Sequence, residues 1–157
     1  MKSTLPPHEF KVMRVRECVA SNLVDTPQRA YEYWQANIPQ SDWYDESKEA
    51  FVVLVINTRK RIMGHNLIAL GLVDQCWVHP REVFRAVIVA AGKALILMHN
   101  HPSGDSTPSE PDIKVTRDLI RAGQLLGITV ADHVIVGNSA ACGRNYTSLL
   151  EYGVFYD

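Results

Sequence analysis

The sequence predicts an α/β or α+β fold in which helices sandwich a β-sheet. Three observations carry this reading. Two apolar runs joined by a polar turn give a hairpin signature. A helix-period stretch opens at Pro80 and stops at Gly92. A strand, a polar loop, a second helix and a further strand then succeed it in that order. At 157 residues the chain has room for one compact domain. A chain of that size buries roughly two-thirds of its unfolded surface, so neither a disulfide nor a metal is needed merely to fold it.

In chain order, residues 10–15 suggest a short extended piece. Thr26 is a good N-cap before Pro27, and PQRAYEYWQANI then reads as a helix that ends at Pro39. These first 45 residues or so are too short to fold alone and are expected to pack on the rest of the chain. FVVLVIN, from Phe51, is β-branched and almost free of polar residues, as a buried strand is. Asn57-Thr58-Arg59-Lys60 supplies the polar turn into a second strand, RIMGHNLIAL. After a short segment around Cys76 to Val78, PREVFRAVIVAAG places Val83, Ala86, Val87, Ala90 and Ala91 at helical period. ALILM is a central-strand type of run. It ends in the polar stretch HNHPSGDSTPSEPD. The spacing predicts a helix over 111–126, with Ile113, Thr116, Leu119, Ile120, Gly123 and Leu126 on one side and Gly127 as the stop. ITVADHVIV is a further strand, and 137–143 reads as a turn. Tyr146, Leu149 and Leu150 are expected to cover the sheet, and the aromatic tail YGVFYD either packs back on the core or joins a homo-oligomer surface.

Sixteen Lys plus Arg against seventeen Asp plus Glu leave a net charge of −1. Nothing here resembles the basic footprint of a phosphate-backbone binder, so DNA binding has to be argued from something other than charge. With 46% hydrophobic and 21% charged residues, the composition disfavours disorder, collagen and coiled coil. Cys18, Cys76 and Cys142 are odd in number and widely spread, which offers no disulfide framework and no four-Cys zinc site. A reducing, cytoplasmic setting fits best. Two prolines and several charges interrupt MKSTLPPHEFKVMRV, and no stretch reaches the ~18 apolar residues of a spanning helix. A soluble protein that is not exported and does not enter a membrane is expected.

His99 and His101 stand two apart at the end of an apolar strand, so both imidazoles leave the same face and can reach one point. A hydrolytic zinc takes three protein ligands and a water. Asp112, in the first turn of the next helix, is the natural third ligand, because Pro102, Gly104 and Pro108 can turn the loop back on itself. Ser109, three residues before Asp112, also reads as a helix cap, and the two roles are compatible. Each part alone is weak. The joint pattern H-x-H-x7-S-x-x-D is expected by chance in roughly one in several thousand chains of this length.

HNHPSGDSTPSEPD resembles the zinc signature of the JAMM (MPN-plus) metalloproteases. Its flanks, VHPREVFRAVIVAAGKALILMHNHPSG and ADHVIVG, are similar to the RadC branch of that superfamily. The resemblance covers about residues 49–137 and implies a mixed sheet flanked by helices, the cytidine-deaminase-like JAB/MPN fold. On this reading residues 46–157 form the RadC-like MPN domain, and 1–45 are an extension packed on it. The resemblance further implies a Zn(2+) ion held by His99, His101 and Asp112, with Ser109 positioning water or stabilising an oxyanion. It also implies an acidic general base at the edge of an early strand. Glu49 in EAFVVLVIN matches the Glu-x-Phe start of the family pattern, with Glu46 as the alternative. Without the resemblance, Glu49 reads as a solvated residue opening a strand.

Asp132-His133 lies in an apolar strand, where a polar pair is costly unless hydrogen-bonded. It reads either as support for a metal ligand, which the family's similar Asp-His favours, or as a satisfied buried pair. His79-Pro80-Arg81-Glu82 reads as a helix start. His65 and His8 read as surface residues, and Cys142 lacks a context that would make it a nucleophile. The implied function is a zinc-dependent metalloprotease or isopeptidase acting on a peptide or protein substrate. The alternatives are a DNA-repair or recombination-associated DNA-binding protein and a metallonuclease. Near-neutral charge argues against inheriting the DNA role, as does the want of a helix-hairpin-helix pattern in the N-terminal segment.

Overall fold

The computed structural model describes residues 23–71 and 78–156. The extended piece read at 10–15, His8, Cys18 and Cys76 lie outside the described residues. Among those described, no helix is long and apolar enough to cross a membrane.

Helix α1 (Pro27–Asn37) begins where Thr26 Oγ1 accepts the Arg29 amide and Pro27 fills the first turn. Strand β1 (Glu49–Ile56) is buried along its whole length, as its continuous apolar run requires. Asn57 closes the next turn by accepting the Arg59 and Arg61 amides on Oδ1, which suits the left-handed φ of 56° at Lys60. The chain returns as β2 (Ile62–Gly71), antiparallel to β1 and half-exposed. Helix α2 (Pro80–Val89) is capped by the His79 ring, which accepts the Arg81 amide, in line with the helix-start reading of that motif. Strand β3 (Ala94–Asn100) runs antiparallel to β1 and parallel to β4 (Thr129–Val136), and helix α3 (Glu110–Leu126) makes the crossover between them. Gly127, at φ 67°, ends α3 in the left-handed conformation.

The expected turn after β4 contains a single helical turn, α4 (Ser139–Cys142), capped by Asn138. The expected sheet cover at Tyr146 is itself a strand, β5 (Tyr146–Ser148), antiparallel to β4. The sheet is therefore mixed, in the order β2-β1-β3-β4-β5. The tail turns back on the core through a 3-10 helix (Val154–Tyr156): Val154 is buried with Ile135 and Leu149, while Tyr152 and Tyr156 stay exposed.

Alternation along the strands sorts the core into two layers. Ala50, Val52, Leu54 and Ile56 of β1, with Ile96 and Met98 of β3, pack against Ala30, Tyr33 and Trp34 of α1. Phe51, Val53 and Val55, with Leu95 and Leu97, pack against Val83, Phe84 and Val87 of α2 and Leu119 of α3. The same alternation carries Glu49 and His99 to the α2/α3 side and Asn100 to the α1 side.

Candidate metal centre

Strand β1 pairs Phe51 with His99, and their rings stack with centroids 5.8 Å apart. Glu49, two residues earlier, is thereby set beside the end of β3, with its Oε1 3.9 Å from His99 Nε2. His99 is fully buried. The chain leaves β3 at His101, whose amide bonds Val136 O, so β4 anchors the second histidine. The loop then turns at Gly104, φ 82°, and delivers Ser109 as the cap of α3. That cap is a reciprocal box. Ser109 Oγ accepts the Asp112 amide, and Asp112 Oδ2 accepts both the Ser109 amide at 2.8 Å and its hydroxyl at 2.7 Å. Capping therefore aims the Asp112 carboxylate back at the two histidines.

Three side chains meet as the sequence predicts. His99 Nε2 and His101 Nε2 are 3.0 Å apart, Asp112 Oδ1 is 3.2 Å from the first, and Oδ2 is 3.4 Å from the second. Ligands held tetrahedrally on zinc at about 2.0 to 2.1 Å stand about 3.3 Å from one another, close to each of these spacings, so two imidazoles and a carboxylate placed in this way fit such an ion. His101 Nδ1 lies 2.6 Å from the Asp105 carbonyl and must donate to it, which frees Nε2 as a ligand. Glu49 Oε2 is a buried oxygen with no hydrogen-bond partner on the same face. A lone acceptor of this kind is what a water or substrate group at the centre would satisfy. The His99-His101-Asp112 group can hold a metal ion.

The electrostatics are set by burial and proximity. Burial raises the Glu49 carboxyl above its ordinary value, and the nearby His99 and His101 only partly offset this. Burial also pushes Asp112 upward, but its close contacts with the His101 and His99 rings and the bond from Ser109 outweigh it and hold Asp112 well below the usual carboxylate range. For His101 burial favours the neutral ring. The bonds to Asp112 and the Asp105 carbonyl reverse that and raise it. His133 is lowered well below its ordinary value, first by burial and then by its neighbour His99.

Several supporting residues escape a reading of motif spacing. Asn100, between the two histidines but on the opposite face, accepts the Ala50 amide at 2.8 Å and donates to Lys48 O at 2.9 Å, so it grips the backbone on both sides of Glu49. Glu46, the alternative base, is exposed in the turn before β1. His133 Nε2 is 2.8 Å from His99 Nδ1, one of the two roles foreseen for the Asp132-His133 pair. His65 departs from its surface reading, because it is half-buried and its Nδ1 lies 2.9 Å from the Tyr33 hydroxyl. Cys142 sits beside Ser106, whose backbone and hydroxyl contacts lower the thiol, a context its flanking sequence does not announce.

A model of the RadC-like JAB domain matches residues 24–154. The chain belongs to the RadC-like JAB family. Helix α1 falls inside the matched range. Among curated relatives, a UPF0758 protein of Chlorobaculum parvum is 47% identical over 111 residues, which cover 71% of this chain and 48% of that protein. One from Staphylococcus haemolyticus is 44% identical over 120 residues, covering 76% of this chain and 50% of the other. A third, from Methanosarcina mazei, is 40% identical over 109 residues, 69% and 45% of the two chains. This RadC-like chain spans about half the length of the curated relatives it matches. The five-stranded mixed sheet flanked by helices is that of a JAB domain.

Proposed function

We propose that this RadC-like JAB domain is a zinc-dependent hydrolase of the JAMM type that cleaves an amide, peptide or isopeptide bond. One observation carries the reading. His99 Nε2 and His101 Nε2 stand 3.0 Å apart with the two Asp112 carboxylate oxygens 3.2 and 3.4 Å from them, and beside them lies the buried Glu49 carboxylate, one oxygen of which has no partner.

His99, His101 and Asp112 would hold the zinc, which when bound supplies a polarised carbonyl and a water acidified toward neutrality. Glu49 takes a proton from the attacking water and returns it to the departing amine nitrogen. Its raised pKa brings it closer to the working pH, as a group that must both accept and give a proton requires. Asn100 holds the backbone around Glu49 so that the carboxylate does not drift from His99. The resemblance gives Ser109 a role with water or an oxyanion. In this geometry its hydroxyl proton goes to Asp112 Oδ2, and the function supported best is orienting that ligand. Phe51, itself buried, stacks on the His99 ring and helps hold its orientation.

The test is metal analysis joined to cleavage. Purified protein is expected to carry one equivalent of zinc, His101→Ala to lose it, and the zinc-loaded wild type to cleave peptide or isopeptide reporters. Wild type without stoichiometric zinc, or His101→Ala with full zinc, would end this reading. Cleavage of a phosphodiester but not of any amide reporter would replace the substrate class and keep the metal.

A further inference from the structure

Thr116 lies one turn after Asp112 on the buried face of α3, and its Oγ1 is 2.6 Å from two atoms, the Asp112 carbonyl oxygen and His133 Nδ1. A hydroxyl has one proton to give, and a carbonyl oxygen can only accept. The proton therefore goes to Asp112, and the second contact is a bond that His133 Nδ1–H donates to Thr116 Oγ1. A neutral imidazole carries a single N–H, so His133 Nε2 is bare and accepts. Its partner at 2.8 Å is His99 Nδ1, which must be the donor. That leaves His99 Nε2 without a proton, and Nε2 is the atom that faces His101 and Asp112.

We propose that Thr116 and His133 are positioning residues: a directed hydrogen-bond chain through them fixes the His99 tautomer that offers its Nε2 lone pair to a metal. The chain starts at the backbone of one ligand and ends on the ring of another, crossing from α3 through β4 to β3. Run the other way, with the His133 proton on Nε2, it would turn His99 Nε2 into an N–H pointing at the centre and remove that nitrogen as a ligand. Solvent cannot scramble the order, because Thr116, His133 and His99 are all fully buried. Phe51 packs against both rings, with centroids 5.8 Å from His99 and 5.5 Å from His133, and keeps them in the geometry the chain needs.

This inference rests on the proposed metal centre, and two measurements keep the two apart. Long-range proton–nitrogen correlation NMR of the zinc-free wild type is expected to show His133 protonated at Nδ1 and bare at Nε2. Zinc titrations are expected to show Thr116→Val, which keeps the shape but loses the oxygen, binding about 10- to 100-fold more weakly. Thr116→Ser, which restores the hydroxyl, should recover most of that loss. A proton on His133 Nε2 in the wild type overturns the proposal, and so does a Thr116→Val protein that binds zinc as tightly as wild type. Should wild type bind no zinc, the metal reading falls, and the His133 spectrum by itself still decides the direction of the chain.

Discussion

Glu49 holds a carboxylate in a place where the fold gains nothing from it. The residue is 5% exposed, burial raises its pKa, and Oε2 has no partner. A buried polar atom left unpaired costs on the order of 1–3 kcal/mol, a cost that marks a functional position more often than a structural one. Replacing the charge while keeping the shape separates the two. Glu49→Gln should keep its zinc, lose about 100-fold or more of its hydrolytic rate, and melt no lower than wild type in zinc-free form. Calorimetry beside a cleavage assay checks this, and a clear drop in melting temperature would show Glu49 to be structural. The role proposed for Glu49 is legible at residue level only through the motif match. No spacing ties Glu49 to His99, because the two meet through the β1–β3 register. His99 and His101 are legible because a strand's two-residue period is local.

Strand β4 shows what the sequence withholds at the scale of an element. Leu95 pairs with Val130, but the next pair is Ile96 with Asp132, so Ala131 is one residue extra and the strand bulges. The bulge shifts the alternation, which places His133 on the α3 side against Thr116 and sends Asp132 towards β5. Nothing in ITVADHVIV marks that extra residue, and so two readings of the pair stand together until the pairing is known. The three-residue β5 is likewise too short for a period to be seen. Asp132 pins the bulge by accepting the Ser148 hydroxyl and the His133 and Leu150 amides. Asp132→Ala strands these donors and should cost several kcal/mol, whereas Asp132→Asn keeps an acceptor and should cost much less. Burial raises the Asp132 pKa against those bonds, so its charged form is a net burden in the folded state above the unfolded value. That burden lifts as pH falls through the folded value, so wild type should gain on Asp132→Asn in acid. Urea melts across pH would show it, and a constant gap would refute it. The loop between His101 and Ser109 depends on a close approach instead. A Cβ on Gly137 would stand 2.5 Å from Gly104 O and 2.8 Å from Ser106 Cβ. Gly137→Ala should therefore push the loop outward, loosen the Asp105 carbonyl that holds His101, and weaken zinc binding more than it lowers the melting temperature. Equal zinc affinity in the variant would refute that coupling.

Across the whole molecule, the proposed base comes from β1, two of the proposed ligands from the end of β3, and the third from α3. The two packed layers keep these elements in register without a metal: β1 is buried throughout, and Val83, Phe84, Val87 and Leu119 seat α2 and α3 on the sheet. The fold class was legible at this scale because strand and helix periods alternate along most of the chain. The strand order was not, since pairing is a long-range property. A site already built by the fold has a thermodynamic consequence. Zinc that binds the folded chain and only weakly the unfolded one stabilises by mass action, about 2.7 kcal/mol when its free concentration is one hundred times Kd. For a domain of this size that corresponds to a rise in Tm of about 5 to 10 °C. Chelation should therefore lower the melting temperature of wild type by that order and leave a cooperative transition, unlike a small zinc finger, which unfolds outright. His101→Ala, missing one of the three proposed ligands, should melt near the chelated wild type and ignore the chelator. A chelator effect of equal size on His101→Ala would place the stabilising ion elsewhere. Loss of all cooperativity in chelated wild type would mean that the ion, rather than the two-layer core, holds β3 and α3 together.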